Sequence, residues 1–149
     1  PHDDVAAAYY AAGPVETRVI GDAVGRASAL KMCYAAYTKG TTALLCAILA
    51  AAEHLAVRSE LDQHWTREDT AFAEQVVQRI TRVTAKAWRF SGEMDEIAAT
   101  FSDAGLPAEF HLAAATLYRR MAHFKDAATP PRLEDVLQAL LHPGNEQHG

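Results

Sequence analysis

The amino-acid sequence predicts an all-α, multi-helix bundle preceded by one helix and one strand that belong to the edge of an α/β sheet lying outside the chain. Three observations carry that expectation. Across residues 22–141 apolar side chains recur at helical spacing in successive segments joined by short connections. Gly105-Leu106-Pro107 and Pro130-Pro131 fall between those segments, where helices stop. Only residues 15–20 (VETRVI) read as a strand, with Val15, Thr17 and Val19 on one face and β-branched residues prominent.

The length of 149 residues, 50% of them hydrophobic, suffices for one domain with a core and is too short for two ordinary ones. The net charge is −5 and the 14 basic residues are scattered, so no stripe of Lys and Arg offers itself to a nucleic acid. The longest uncharged run, residues 40–52, falls short of the ~20 residues that a bilayer requires, and no signal segment opens the sequence. Cys33 and Cys46 fall on one helix, roughly 20 Å apart, beyond the reach of a disulfide. No membrane partner and a cytoplasmic location are therefore expected.

Asp3 and Asp4 precede a short alanine-rich helix over 5–12, which Gly13-Pro14 closes before the strand. A lone strand cannot pair its own backbone groups, so this helix, turn and strand read as the last step of an open sheet whose other strands stand before Pro1. The absence of an initial Met fits either removal of an initiator Met or a piece of a longer protein, and the helix, turn and strand favour the piece. The expected organisation is thus a remnant over 1–21, a helical domain over 22–141 and a disordered tail over 142–149. Residues 22–54 read as one helix of about 45 to 50 Å, with Gly25 and Gly40 as weak points and an almost wholly apolar second half. Residues 58–65 read as a polar helical turn. Thr66 and Asp69 form a capping-box-like start for a helix to about Val83, with Phe72, Val76, Val77, Ile80 and Val83 at helical spacing. Residues 85–104 give the next helix, with a weak point at Ser91-Gly92. Pro107 sits in the first turn of a helix through Phe124, with Phe110, Ala114, Leu117 and Met121 inward. The last helix is 133–141.

On the long helix Ser28, Lys31, Thr38, Lys39 and Thr42 share an arc of roughly 100°, with Leu30, Tyr37, Leu44 and Ile48 opposite as the expected core face. A ligand with carboxylate and hydroxyl groups suits that polar stripe. The competing reading is a solvent face. Against it, Ala27, Ser28 and Ala35 around Lys31 are small, where a free surface would carry Glu, Gln and more Lys. The stripe also begins just after a glycine turn leaving the last strand, where open α/β folds place their ligand crevice.

The stretch from Val19 to Lys31 (VIGDAVGRASALK) resembles the start of the C-terminal domain of β-hydroxyacid and 6-phosphogluconate dehydrogenases. The segments SALKMCYAAYTKG at 28–40, KAWRF at 86–90 and GEMDEIA at 92–98 are more similar still to a branch of 6-phosphogluconate dehydrogenase-like proteins with a C-terminal domain of unknown function. The resemblance spans about residues 3–124. It implies that Lys31 is the catalytic acid/base, that Gly25 belongs to the turn near the cofactor, that NAD or NADP is bound mainly by an absent N-terminal domain, and that the protein is a homodimer. Gly25 and Lys31 match the family's glycine-turn and lysine pattern, whereas Ala27 stands at its third glycine and Ala35 at its substrate-orienting asparagine. Ser28, Tyr34, Thr38 and Lys39, in the matching stretch, are the candidate substrate contacts.

Arg89 and Glu93, four apart on one helix, are further substrate candidates, the guanidinium suiting a carboxylate or phosphate; the alternative is a surface ion pair between the two. Trp88 reads as a core or dimer-interface residue. The seven histidines show no ligand spacing, so no metal is expected. Together these readings give the substrate-binding and dimerisation domain of an NAD(P)-dependent oxidoreductase acting on a β-hydroxyacid or sugar acid, with or without decarboxylation. Alone it would be inactive, because no Gly-x-Gly-x-x-Gly turn is present. The alternative is a stand-alone helical dimerisation or ligand-binding module.

Overall fold

Glycine's freedom to adopt positive φ sets the first described feature: Gly25 lies at φ +92° in a turn, and α1 (Arg26–Ala35) starts from it. The computed structural model describes residues 24–143, so the expected remnant over 1–21 and most of the expected tail lie outside the described residues. The chain divides into two units, Pro1–Cys33 and Tyr34–Gly149, each described by itself. Among the described residues there is no strand, and the fold is all-α.

The expected single helix over 22–54 is found among the described residues as a helical run, Arg26–His54, with a π-helical turn inside it. The turn, Ala36–Gly40, separates α1 from α2 (Thr41–His54). There follow α3 (Arg58–Glu68), α4 (Phe72–Thr84), α5 (Ala87–Asp103), α6 (Glu109–Arg120), a short 3-10 turn (Ala122–Asp126) and α7 (Leu133–Leu141). α2 is the central element of the second unit. It buries Ala43, Leu45, Cys46, Leu49, Ala50 and Ala52, and α3, α4, α6 and α7 all touch it. Its alanines keep neighbouring axes close.

The amphipathic helices close the core around it. α4 offers Val76, Ile80 and Thr84 at intervals of four, and α7 offers Leu133, Val136, Leu137 and Leu140. Met94, Ile97 and Ala98 of α5 meet Ala114, Ala115 and Tyr118 of α6, the most extensive helix pair in the fold. Each fully buried large aliphatic contributes about 1.5–3 kcal/mol. Polar α3 buries nothing.

Several expectations are corrected. Leu30, Tyr37 and Leu44, read as core, are 57%, 65% and 46% exposed, and Ile48 is half-buried. The inner face of the helix is instead the one carrying Thr42, Ala43, Cys46 and Leu49. Thr66 opens no helix: it lies within α3, donating to the Asp62 carbonyl, and the Asp69 carboxylate accepts the Ala71 N–H at 3.0 Å ahead of α4. α5 runs unbroken through Ser91-Gly92. Pro107 precedes α6, which ends at Arg120, and Phe110 is half exposed.

Two helices end in left-handed residues that turn the chain back. After α5, Gly105 has φ +75° and the Leu106 N–H donates to the Phe101 carbonyl at 2.9 Å. After α2, Ala56 does the same at φ +56°, with the Val57 N–H on the Ala52 carbonyl at 2.9 Å. By length and hydropathy the helical segment Arg26–His54 would pass for a membrane span, yet 56% of its apolar window is buried within the protein, as in a core helix.

Candidate functional site

The π turn organises the site. A fifth residue in the turn widens the helix and leaves backbone carbonyls able to take side-chain donors, which is one reason such turns recur at functional positions. The Tyr118 hydroxyl donates to the Lys39 carbonyl at 2.8 Å. Arg79 on α4 donates through Nη2 to the Thr38 carbonyl at 2.8 Å and through Nε to Thr42 Oγ1 at 2.7 Å, while Thr42 Oγ1 itself donates to the Thr38 carbonyl at 2.8 Å. Two further threonines bond back along the helix: Thr38 to the Tyr34 carbonyl at 3.1 Å, and Thr41 to the Tyr37 carbonyl. At the end of the turn a methyl group on Gly40 would lie 3.1 Å from the Phe110 ring, so glycine there admits the aromatic.

Against this turn lies a groove of about 650 Å³, lined among others by Tyr37, Thr38, Lys39, Thr42, Arg79 and Phe90. Lys39 Nζ pairs with Glu93 Oε2 at 2.6 Å and stands 5.0 Å from the centre of the Phe90 ring. Phe90 in turn meets Tyr118 edge-on at 5.5 Å. Burial pushes the Tyr118 phenol well above its ordinary range, so it acts as a fixed donor and not as an acid. Burial likewise pushes the Cys46 thiol up to about 12, which makes it a packing residue with no thiolate chemistry. Two wider depressions, about 780 and about 1240 Å³, contain none of the expected residues and carry both signs of charge, such as the Arg58–Asp62 pair at 3.0 Å.

Of the expected substrate contacts the structure brings Thr38, Lys39 and Glu93 together. The expected alternative for Arg89 and Glu93, an ion pair with each other, is not formed: Glu93 is taken by Lys39, and exposed Arg89 rests 5.7 Å from the Phe90 ring centre. Tyr34 is exposed, its ring 6.4 Å from that of Tyr37. In the first unit, Ser28 and Lys31 are exposed on α1, which buries no residue, and Gly25 has open space where a side chain would stand. The enclosure expected for Lys31 is not supplied by the described residues of its unit. Trp88 is half exposed, beneath the Lys125 ammonium at 4.3 Å. Among the described residues no cluster of potential ligands could hold a metal ion.

Arg79, Tyr118 and His111 were missed. Arg79 follows Val76 by three and precedes Val83 by four, a charge on the edge of the apolar stripe of α4, and that placement was the available signal. His111 is buried between Phe101 and Phe110, with ring centroids at 4.2 and 5.3 Å, and its Nδ1 has no hydrogen-bond partner. Burial lowers its pKa below the ordinary value of 6.5.

An all-helical domain with a cationic, hydroxyl-bearing groove beside a π turn is the class that fold and site define. Residues 52–121, just under half of the chain, match the model of a family described as a domain of unknown function, DUF1932. That domain is a helical domain associated with 6-phosphogluconate dehydrogenase-like proteins. Among solved structures, the chain is similar to a conserved hypothetical protein from Sinorhizobium meliloti 1021, with 26% identity and a TM-score of 0.76. The similarity covers 94% of this chain and 48% of that one, so the chain spans about half the length of its structural neighbour. No curated protein matches the sequence.

Proposed function

We propose that this chain is the substrate-binding and dimerisation domain of a cytoplasmic, NAD- or NADP-dependent oxidoreductase acting on a β-hydroxyacid or sugar acid, active only when joined to a nucleotide-binding domain. The observation that carries the reading is the groove beside the π turn, whose lysine, arginine and threonine side chains suit a small hydroxylated acid. The described residues contain no strand and glycine turn to hold a dinucleotide, and Gly25, open on its side-chain side at the start of α1, is this reading's candidate for a close approach of the cofactor. A bound nicotinamide would supply the hydride acceptor. Lys31 would take the proton from the substrate hydroxyl as that hydride departs. α1 buries no residue among those described, so the proposal requires the rest of the longer protein and the substrate to cover it.

For dimerisation the reading uses the exposed apolar surface around Tyr37, Leu44 and Phe110, side chains 46–65% exposed near Gly40. The test joins the chain to its nucleotide-binding domain and follows reduction of NAD and of NADP with a panel of β-hydroxy and sugar acids, with the molar mass measured by light scattering. Substrate-dependent reduction by a dimer is expected. A protein that binds neither nucleotide and reduces neither with any acid overturns the proposal.

One observation favours the second reading, a stand-alone helical module: Lys31 is exposed and α1 buries nothing. That reading predicts ligand binding or dimerisation with no turnover in any context.

A further inference from the structure

The groove holds more positive charge than its own carboxylate neutralises. Lys39, Arg79 and Arg82 line it, and no Asp or Glu is among its lining residues; of the acids that bond to lining residues, Glu93 is committed to Lys39 at 2.6 Å and Glu74 accepts from Gln78 at 3.0 Å. Arg79 and Arg82 form no ion pair with any carboxylate among the described residues. The chain as a whole carries −5, so this accumulation is a local feature and not a reflection of a basic surface.

Arg79 is also held in place. It is half-buried, and the two bonds to Thr42 Oγ1 and the Thr38 carbonyl use Nε and one N–H of Nη2. A guanidinium carries five N–H donors in a rigid plane. Three are left without an acceptor among the described residues, Nη1 with both of its own. A planar fork fixed on one edge and unpaired on the other is the geometry that receives a carboxylate or phosphate. Arg82 is exposed one turn further along α4 and lines the same groove. Gln75 and Gln78 add amides at the rim, the latter donating to Glu74 at 3.0 Å, and Phe90 and Val83 give the groove apolar wall.

We propose that Arg79, with Arg82 at the rim, anchors the anionic end of a small hydroxylated ligand, a carboxylate or a phosphate monoester, and that Lys39, held by Glu93, is not the anchor. The proposal rests on the reading above only for the kind of ligand, because the anion site itself is built by this chain.

The experiment is titration calorimetry on the chain itself, at low ionic strength and without nucleotide, with inorganic phosphate and with gluconate as separate probes. At least one is expected to bind: phosphate alone identifies a phosphate site, gluconate alone a carboxylate site. Arg79→Met should weaken binding about tenfold or more, and Arg82→Gln about two- to fivefold. Arg79 joins α4 to the π turn, so circular dichroism is recorded for each variant. If Arg79→Met does not fold, Arg79→Lys, which keeps the charge and loses the fork, and the exposed Arg82→Gln serve in its place. Failure of both probes to bind, or unchanged affinity in Arg79→Lys and Arg82→Gln, overturns the proposal. Arginine-dependent binding in a protein that shows no turnover when joined to its nucleotide-binding domain removes the oxidoreductase reading alone. Turnover with unchanged KM in the Arg79→Lys and Arg82→Gln variants removes the anchor alone.

Discussion

Replacing Tyr118 with phenylalanine takes one oxygen out of the centre of the helical domain and asks whether the π turn is held from outside. Tyr118 is fully buried, and its hydroxyl reaches the Lys39 carbonyl at 2.8 Å. The ring and its edge contact with Phe90 at 5.5 Å survive the substitution, so no cavity of consequence opens. What is lost is one hydrogen bond, about 1 kcal/mol net, with a further cost because a buried carbonyl loses a donor; the total is about 1–2 kcal/mol. For a chain of this length that is a fall in Tm of roughly 3–7 °C. Urea titration should show a lower midpoint with the slope unchanged, because the surface exposed on unfolding scarcely differs between variant and parent. Tyr34→Phe is the control, since Tyr34 is 67% exposed, and its midpoint should not move. Equal stability of Tyr118→Phe and the parent would refute the idea that this hydroxyl fixes the turn.

Two further predictions concern the backbone and pH. Gly105→Ala should lose about 1–2 kcal/mol, because φ +75° is strained for any residue with a side chain and nothing else obstructs the site; Ala56→Gly, at φ +56°, should gain about 0.5 kcal/mol, both read by urea denaturation. For pH, stability should fall as pH drops below about 6.5, and His111→Phe should reduce this slope. Burial lowers the folded pKa of His111, so the unfolded chain takes up the proton first. The contribution is therefore complete above 6.5 and is lost as pH falls from there towards the folded pKa.

Helix ends with strong local chemistry were legible in the sequence. Residues 133–141 were expected and Leu133–Leu141 is found, because Pro130-Pro131 stops what precedes it and Glu134 and Asp135 favour the first turn. Gly105 and Pro107 separated α5 from α6 in the same way. The orientation of the long helix was not legible. Its second half is apolar on nearly every side, so periodicity could not say that Thr42 and Cys46 face inward while Tyr37 and Leu44 face out. The π turn depends on partners about 40 and 80 residues away, Arg79 and Tyr118, which no local pattern announces. Half of the site was therefore visible as polar letters on one helix. Glu93 on α5 was a candidate as well, whereas Arg79 of α4, Phe90 of α5 and Tyr118 of α6 joined the site only once the chain was folded.

The proposed role of Lys31 as proton acceptor in hydride transfer is tested most directly by single-turnover kinetics of the chain joined to a nucleotide-binding domain. Lys31→Ala should slow hydride transfer about 10²- to 10⁴-fold, leave nucleotide affinity unchanged, and recover part of the rate when a small primary amine is added. Hydride transfer at the parent rate in Lys31→Ala would contradict it.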